Sequence, residues 1–293
     1  MFPCNILNQN RRNVNVFLII HNKLIYNISM QTNPKIYGDY HTHTDNSDGK
    51  NTVEEMISAA SKLGLREIAI TDHGHGRFIF SKIKPKNYAM VRALIQKSAE
   101  ENNIKVLFGV EANITGPRGQ IDVQTEHSRE LDILLCGIHL SVKPAGIASF
   151  FTYTLPNWFW WMIRWTPRGR IAKNTEAVRQ AILNNNIDIL THPNKYFRVN
   201  VVEIAKACVE RGTLIELNGK KISFRPIDFE RMAALGAKFI INSDAHKTTR
   251  IADVDKIFEF LKLCDYREED IINLNAPFKK PEPIEIPDIK TKE

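Results

Sequence analysis

An α/β fold built on a parallel sheet is what this sequence predicts, and three observations predict it. Short apolar runs alternate with amphipathic helical patterns along the chain. Seven of those runs are rich in Ile, Leu and Val, as strands are when both faces of a parallel sheet are buried. The alternation continues right through the chain, which suggests either a closed barrel or a doubly wound sheet.

The first predicted strand covers residues 36–41. Residues 1–34 precede it and are read as an extension outside the fold. Residues 1–30 hold seven Asn and one short apolar stretch at 16–20. That stretch is too short for a signal peptide and lacks a small-residue cleavage site. Met30 falls just before the first strand, as an upstream start codon would leave it. Thr52 and Glu55 then form a capping box. The helix they open shows Val53, Met56, Ile57, Ala60 and Leu63 on one face, a 3.6-residue period. Strands at 67–71, 106–111, 132–139 and 187–192 follow. Asn174 caps a helix bearing Ala177, Val178, Ala181 and Ile182. Strands at 213–218 and 238–243 complete the set, and Ile251, Val254, Ile257, Phe258 and Leu261 line a later helix. Residues 35–276 form the predicted domain, and 277–293 a Pro-rich tail.

The 293 residues are 43% apolar, enough for one large domain with a full core. The formal net charge is +7, but it is unevenly placed. Residues 1–34 carry three basic side chains and no acid, and residues 141–173 carry five and no acid. The rest is close to neutral. A distributed basic surface for nucleic acid is therefore not expected. There is no apolar run of the roughly 18 residues that a membrane-spanning helix requires. Cys4, Cys136, Cys208 and Cys264 are scattered without a CxxC pair and read as reduced thiols of a cytoplasmic protein. Neither GxGxxG nor GxxxxGK[ST] occurs, so a glycine loop cradling phosphate is not expected.

The chemical signal lies in where the histidines fall. Six of the nine sit at or just past predicted strand ends: His41, His43, His73, His139, His192 and His246. Glu111 ends the third strand, Asp244 follows the seventh, and Asp48 lies on the first strand-to-helix loop. Side chains at i and i+2 of an extended chain share a face, so His41 with His43, and Asp244 with His246, converge in pairs. In a β/α barrel every C-terminal strand end opens on one face. Imidazoles and carboxylates without thiolates suit zinc, manganese or iron. His21 and His127 lie outside this pattern. His75, two residues after His73, is a candidate substrate contact or proton donor.

The chain resembles the PHP-domain metal-dependent phosphoesterases, and most nearly the small stand-alone bacterial phosphatases among them. The likeness runs from about Tyr37 to Asn275. It rests on His41-Thr-His43, Thr71-Asp-His73, Thr-His-Pro at His192, and Ser243-Asp-Ala-His246, with Gly109-Val-Glu-Ala-Asn113 between. The resemblance implies a single distorted (β/α)7 TIM-like barrel with two or three divalent metals. Carried over by position, His41, His43, Glu111 and Asp244 hold the first metal. Glu111 bridges to a second with His139 and His192, and Asp48, His73 and His246 hold a third. A metal-activated water is the expected nucleophile, with Glu111, His75 and Asp72 as catalytic candidates and no protein nucleophile required.

Between His139 and His192 the chain departs from the small phosphatases in a longer stretch. Residues 141–173 hold all four Trp and the local basic excess. Three readings stand: a lid or side wall beside the expected metal mouth, an oligomer contact, or a membrane-surface element. Arg77, Arg118 and Lys195, with Arg164 and Arg168 from this insert, are candidate phosphate clamps, and Lys220 and Lys247 lie near strand ends too. The favoured function is hydrolysis of small phosphomonoesters. The alternatives are an exonuclease or phosphodiesterase on single-stranded nucleic acid, with the Trp cluster as a stacking platform, and a histidinol-phosphate phosphatase. An amidohydrolase is disfavoured, because its bridging lysine and sixth-strand histidine are replaced by His139 and Asn218. A non-enzymatic scaffold is disfavoured by the full ligand set.

Overall fold

The computed structural model describes residues 36–77 and 83–283. The predicted extension at 1–34, His21 within it, and residues 284–293 of the tail lie outside the described residues. Seven strands are present: β1 (Gly38–Asp39), β2 (Glu67–Ile70), β3 (Lys105–Asn113), β4 (Ile133–Gly137), β5 (Ile189–Leu190), β6 (Leu214–Asn218) and β7 (Phe239–Asn242). Each pairs in parallel with the next, so spatial order follows chain order without a reversal. A doubly wound sheet would reverse part-way. Around the strands lie α1 (Val53–Lys62), α2 (Tyr88–Asn102), α3 (Thr125–Ser128), α4 (Ile147–Ser149), α5 (Leu155–Met162), α6 (Arg168–Asn184), α7 (Val201–Arg211), α8 (Pro226–Ala234) and α9 (Asp255–Leu261). α1 carries the expected capping box: Thr52 accepts from the Glu55 amide, and Glu55 accepts from the Thr52 amide.

β1 and β7 are joined mostly through side chains. Tyr40 N donates to Asn242 Oδ1 at 3.0 Å, and Ser243 N to Asp39 Oδ1 at 3.1 Å. Thr42 and Ala245 form an isolated parallel bridge higher up. Asn273 is the deepest staple. Its Nδ2 donates to Gly38 O at 2.9 Å and Ile241 O at 2.7 Å, while its Oδ1 accepts from Ile241 N. The sheet thereby becomes a nearly closed barrel. The ladders are shorter than the sequence suggests, above all β1 and β5 with two residues each. The chain leaves regular pairing where it turns into the mouth, and the ladder survives there only as isolated bridges such as His73 with Glu111.

The interior is layered. Tyr40, Ala69, Ile133, Leu135, Ile189, Leu214 and Ile240 form an apolar plug inside the N-terminal half. A larger apolar layer lies between the strands and the helices. Residues 277–283, expected to belong to the tail, pack on the closed end. Phe278 meets Tyr40 at 5.5 Å between ring centroids, and Lys280 Nζ lies 3.2 Å from Asp188.

Two predictions test this closure. Asn273→Ala would leave the buried Ile241 amide and two carbonyls unpaired. Buried polar groups left unsatisfied cost about 1–3 kcal/mol each, so a loss of that order or more is expected in denaturant unfolding. The second concerns Asp270, which precedes this staple and lies 3.0 Å from Lys238 Nζ and 2.8 Å from Arg267. Burial pushes its carboxyl up, but Arg267 and Lys238 outweigh that and hold it below the ordinary range. Its contribution is therefore full above the unfolded value of about 3.9 and lost as pH falls through the lower folded value. Asp270→Asn is expected to lower the melting temperature at pH 7, with the gap to wild type closing below about pH 4.

Candidate metal centre

Side chains pointing into the barrel recur every second residue. Leu107, at the level of the plug, is therefore followed on the same face by Glu111. Leu135 is followed by His139, and Ile240 by Asn242 and Asp244. The plug thus becomes the floor of a polar mouth. His192 and Asp244 leave their strands with φ of 26° and 55°. These left-handed conformations cost a non-glycine residue on the order of 1–3 kcal/mol, and both side chains reach the mouth. Gly137 leaves room for His192: a Cβ there would lie 2.3 Å from Thr191 Oγ1 and 3.0 Å from His192 Cε1.

Glu111 is fully buried at the centre. Five imidazoles surround it. His73 Nδ1 and His192 Nε2 lie 2.9 Å from its oxygens, His41 Nε2 and His139 Nε2 lie 3.3 Å away, and His43 Nε2 3.6 Å. On one side Asp244 Oδ1 is 3.5 Å from His43 Nε2. On the other, Asp48 Oδ1 is 3.1 Å from His246 Nε2 and 3.4 Å from His73 Nε2. The ligand atoms fall into four overlapping groups, each within 4.8 Å: His43, Asp48, His73 and His246; His41, His43 and Asp244; His41, Glu111 and His192; and His73, Glu111 and His139. The structure brings together all nine predicted ligands. It sets His73 between Glu111 and Asp48 rather than with the outer group alone.

The electrostatics match a cation site. Burial pushes Glu111 upward, yet His139, His41, His73 and His192 hold it well below the usual carboxylate range. Asp244 is held low in the same way, by His41, His43, Lys195 and Lys220 against burial. Burial drives His139 down to about 3, so its imidazole is neutral and free to donate electrons. His41 Nε2 and both ring nitrogens of His43 and His139 are buried without a hydrogen-bond partner. Orphaned buried nitrogens are costly and call for an explanation. Divalent ions supply one, since neutral imidazoles and carboxylates are their ligands of choice.

A family model described as "PHP domain" matches residues 39–220. The chain belongs to the PHP-domain family. Similar proteins of nearly equal span include probable phosphatases from Shewanella sp. (strain ANA-3), 26% identical over 80% of this chain and 86% of the relative, and from Acetivibrio thermocellus, 27% identical over 83% and 92%. A third, from Clostridium novyi, is 28% identical over 80% and 89%. Among solved structures, a histidinol phosphate phosphatase of Lactococcus lactis in complex with zinc, L-histidinol and phosphate is similar with a TM-score of 0.49. It is 16% identical, and the match covers 77% of this chain and 92% of that one.

Within this PHP domain the other predicted site residues scatter. Arg77 reaches the centre, its Nη1 3.2 Å from Asp48 Oδ2. Lys195 Nζ lies 3.0 Å from Asp244 Oδ2. Arg164 lines a cleft of about 530 Å³ with Trp160, Trp161, Lys195 and Tyr196. Arg168 instead borders a separate groove with Arg179 and Glu203. Arg118 is exposed on a turn held by Gln120, and no contact links it to the centre. His75 is exposed. Asp72, expected to handle protons, does not face the cleft with a free oxygen. Its carboxylate accepts from Thr44 N, Thr44 Oγ1 and Ser47 Oγ, so it shapes the loop that carries Asp48.

Sequence reasoning missed Glu216. Its Oε1 is 2.6 Å from His41 Nδ1, and its Oε2 accepts from the His192 amide at 2.7 Å. A carboxylate on Nδ1 fixes the imidazole so that Nε2 faces the centre. The available signal was an acid inside the apolar run Leu214-Ile-Glu-Leu-Asn218. Lys220, a candidate clamp from its place near a strand end, has its Nζ 3.0 Å from Asp244 Oδ1 and 2.8 Å from His246 Nδ1. Glu216→Gln removes the charge behind His41 while keeping the shape. Metal affinity, measured by competition with a chelator, is expected to fall about 10- to 100-fold. Unchanged affinity would separate Glu216 from the site.

Proposed function

We propose that this protein is a metal-dependent phosphatase that hydrolyses small phosphomonoesters at the barrel mouth. One observation carries the reading: a buried carboxylate, Glu111, with five imidazoles within 3.6 Å. Membership of the PHP family and relatives named as probable phosphatases support the same chemistry. The protein is a hydrolase of phosphate esters.

His41, His43, Glu111 and Asp244 would hold a first divalent ion, and Glu111 with His139 and His192 a second. Asp48, His73 and His246 would hold a third. The nitrogen and oxygen donors suit zinc, with manganese or iron also compatible. Bound ions of this kind neutralise phosphate oxygens and lower the pKa of water toward about 7.

The chain's own residues supply the rest. Phosphoryl transfer depends chiefly on positioning and charge stabilisation. Lys195 and Lys220 flank Asp244, and Arg77 flanks Asp48, so three cations ring the mouth at phosphate-binding distance from the ligand layer. Arg164 adds a fourth from the cleft wall. Trp160, Trp161 and Tyr196 line that cleft and suit an apolar or flat leaving group. His75, exposed beside the loop that carries Arg77, is the proposed proton donor. The plug beneath Glu111 keeps water from entering through the floor.

The test is phosphate release from a panel of sugar phosphates, nucleotides, histidinol phosphate and a cyclic diester, each with zinc, manganese or iron. Turnover of monoesters is expected and should vanish on chelation. His41→Ala and Glu111→Ala should reduce it to background and lower metal content. Full activity with full metal content in either variant would refute the assignment.

A further inference from the structure

The stretch from β4 to α6 carries a helix whose polarity is inverted. α4, the π-helical turn Phe150–Thr154 and α5 follow one another without a break from residue 147 to 162. The side chains turned toward the barrel include Ser149, Thr154 and Asn157 beside the aromatic Tyr153, all buried. Those turned outward are Ile147, Phe151, Leu155, Phe159 and Met162, between 43% and 82% exposed. Their spacing of four, four, four and three places them on one face. Surface helices ordinarily show the reverse arrangement. Trp161 and Trp165 extend the apolar surface, 49% and 60% exposed. Exposed apolar patches of this kind mark interaction surfaces.

The helix is a firm platform. Trp158 Nε1 donates to Leu140 O at 2.7 Å, Arg170 Nη1 donates to Thr152 O at 2.9 Å, and Tyr153 packs edge-on against Phe197. These contacts fix the helix, and with it the direction of its outward side chains.

Charge decides what covers the face. Residues 141–173 carry five cations and no acid, and Lys143, Arg164, Arg168 and Lys173 are exposed. A second copy docked by two-fold symmetry would set this cationic surface against itself, and like charges facing each other oppose association. An anionic bilayer complements both properties. Aromatic side chains enter the headgroup and acyl boundary, and Lys and Arg meet anionic headgroups. At about 1.5 Å per residue the stretch is too short to span a bilayer. No helix among the described residues is long and apolar enough to cross one. It would lie in the plane of the interface.

We propose that this face docks the protein on an anionic membrane surface. The cleft bordered by Trp160, Trp161 and Arg164 would then open beside the headgroups.

The test is co-sedimentation of the full chain with vesicles of phosphatidylcholine alone or with phosphatidylserine. Binding is expected to the anionic vesicles only, weakening as salt rises and unaffected by inorganic phosphate at matched ionic strength. Phe151→Ser combined with Phe159→Ser should weaken it about tenfold or more, and Lys143→Glu with Lys173→Glu should act in the same direction. All four positions are exposed, so unchanged melting temperatures serve as the control for folding. The proposal is overturned if anionic vesicles are not bound, or if the substitutions leave binding intact. It is also overturned if wild type is a dimer that the Phe pair dissociates without any vesicle binding, which would assign the face to a second copy.

Discussion

The meeting of β1 with β7 is the constraint on which this structure depends. His41 and His43 stand just beyond the first strand, Asp244 and His246 just beyond the last, about 200 residues later in the chain. They share a centre only because Asp39, Asn242 and Asn273 tie those strands together. The junction has few direct ladder bonds, so buried side chains carry it. An open sheet with the same strands would hold the same motifs and leave them at opposite edges.

Closure also explains how so many ionisable groups tolerate burial. Desolvation opposes charge on Glu111 and Asp244, and on the imidazoles around them. Opposite charges at short range outweigh it for the carboxylates and for His41. Ligand atoms of these residues gather in groups within 4.8 Å, where a cation would satisfy several at once. Glu216 stands behind His41 and fixes its orientation, while the apolar plug keeps the floor dry. Left-handed φ at His192 and Asp244 shows the backbone yielding to the demands of the centre. Local strain of that size persists only where the surroundings over-determine it.

The insert follows a different logic. Its buried face mixes Tyr153 with Ser149, Thr154 and Asn157, its exposed face is aromatic and aliphatic, and its charge is of one sign. Lid, oligomer contact and membrane element were all compatible with its composition. Phe151 and Phe159 point outward, as a contact surface requires, while Trp160, Trp161 and Arg164 of the same insert wall the cleft.

Periodicity in the sequence was enough to predict seven parallel strands and three of the helices around them, because apolar burial imposes repeats of 2 and 3.6 residues whatever the tertiary context, although Asn174, read as a cap, lies inside α6. The nine candidate ligand positions were legible for a related reason: histidines and carboxylates recurring at strand ends have no explanation in packing. What the sequence left open was decided in three dimensions. Whether the sheet closes depends on Asn273 reaching Gly38, a contact between residues 235 apart. Asp72 resembled a proton-handling group until Thr44 and Ser47 took its oxygens. Glu216 was hidden in an apolar strand. Arg118 and Arg168 lie near strand or insert ends in sequence, yet long side chains on loops point where local turns send them. Residue type and spacing determine which groups are available for chemistry. Only the closed barrel decides which of them face the same few ångströms, because that depends on contacts between distant segments that no local pattern records.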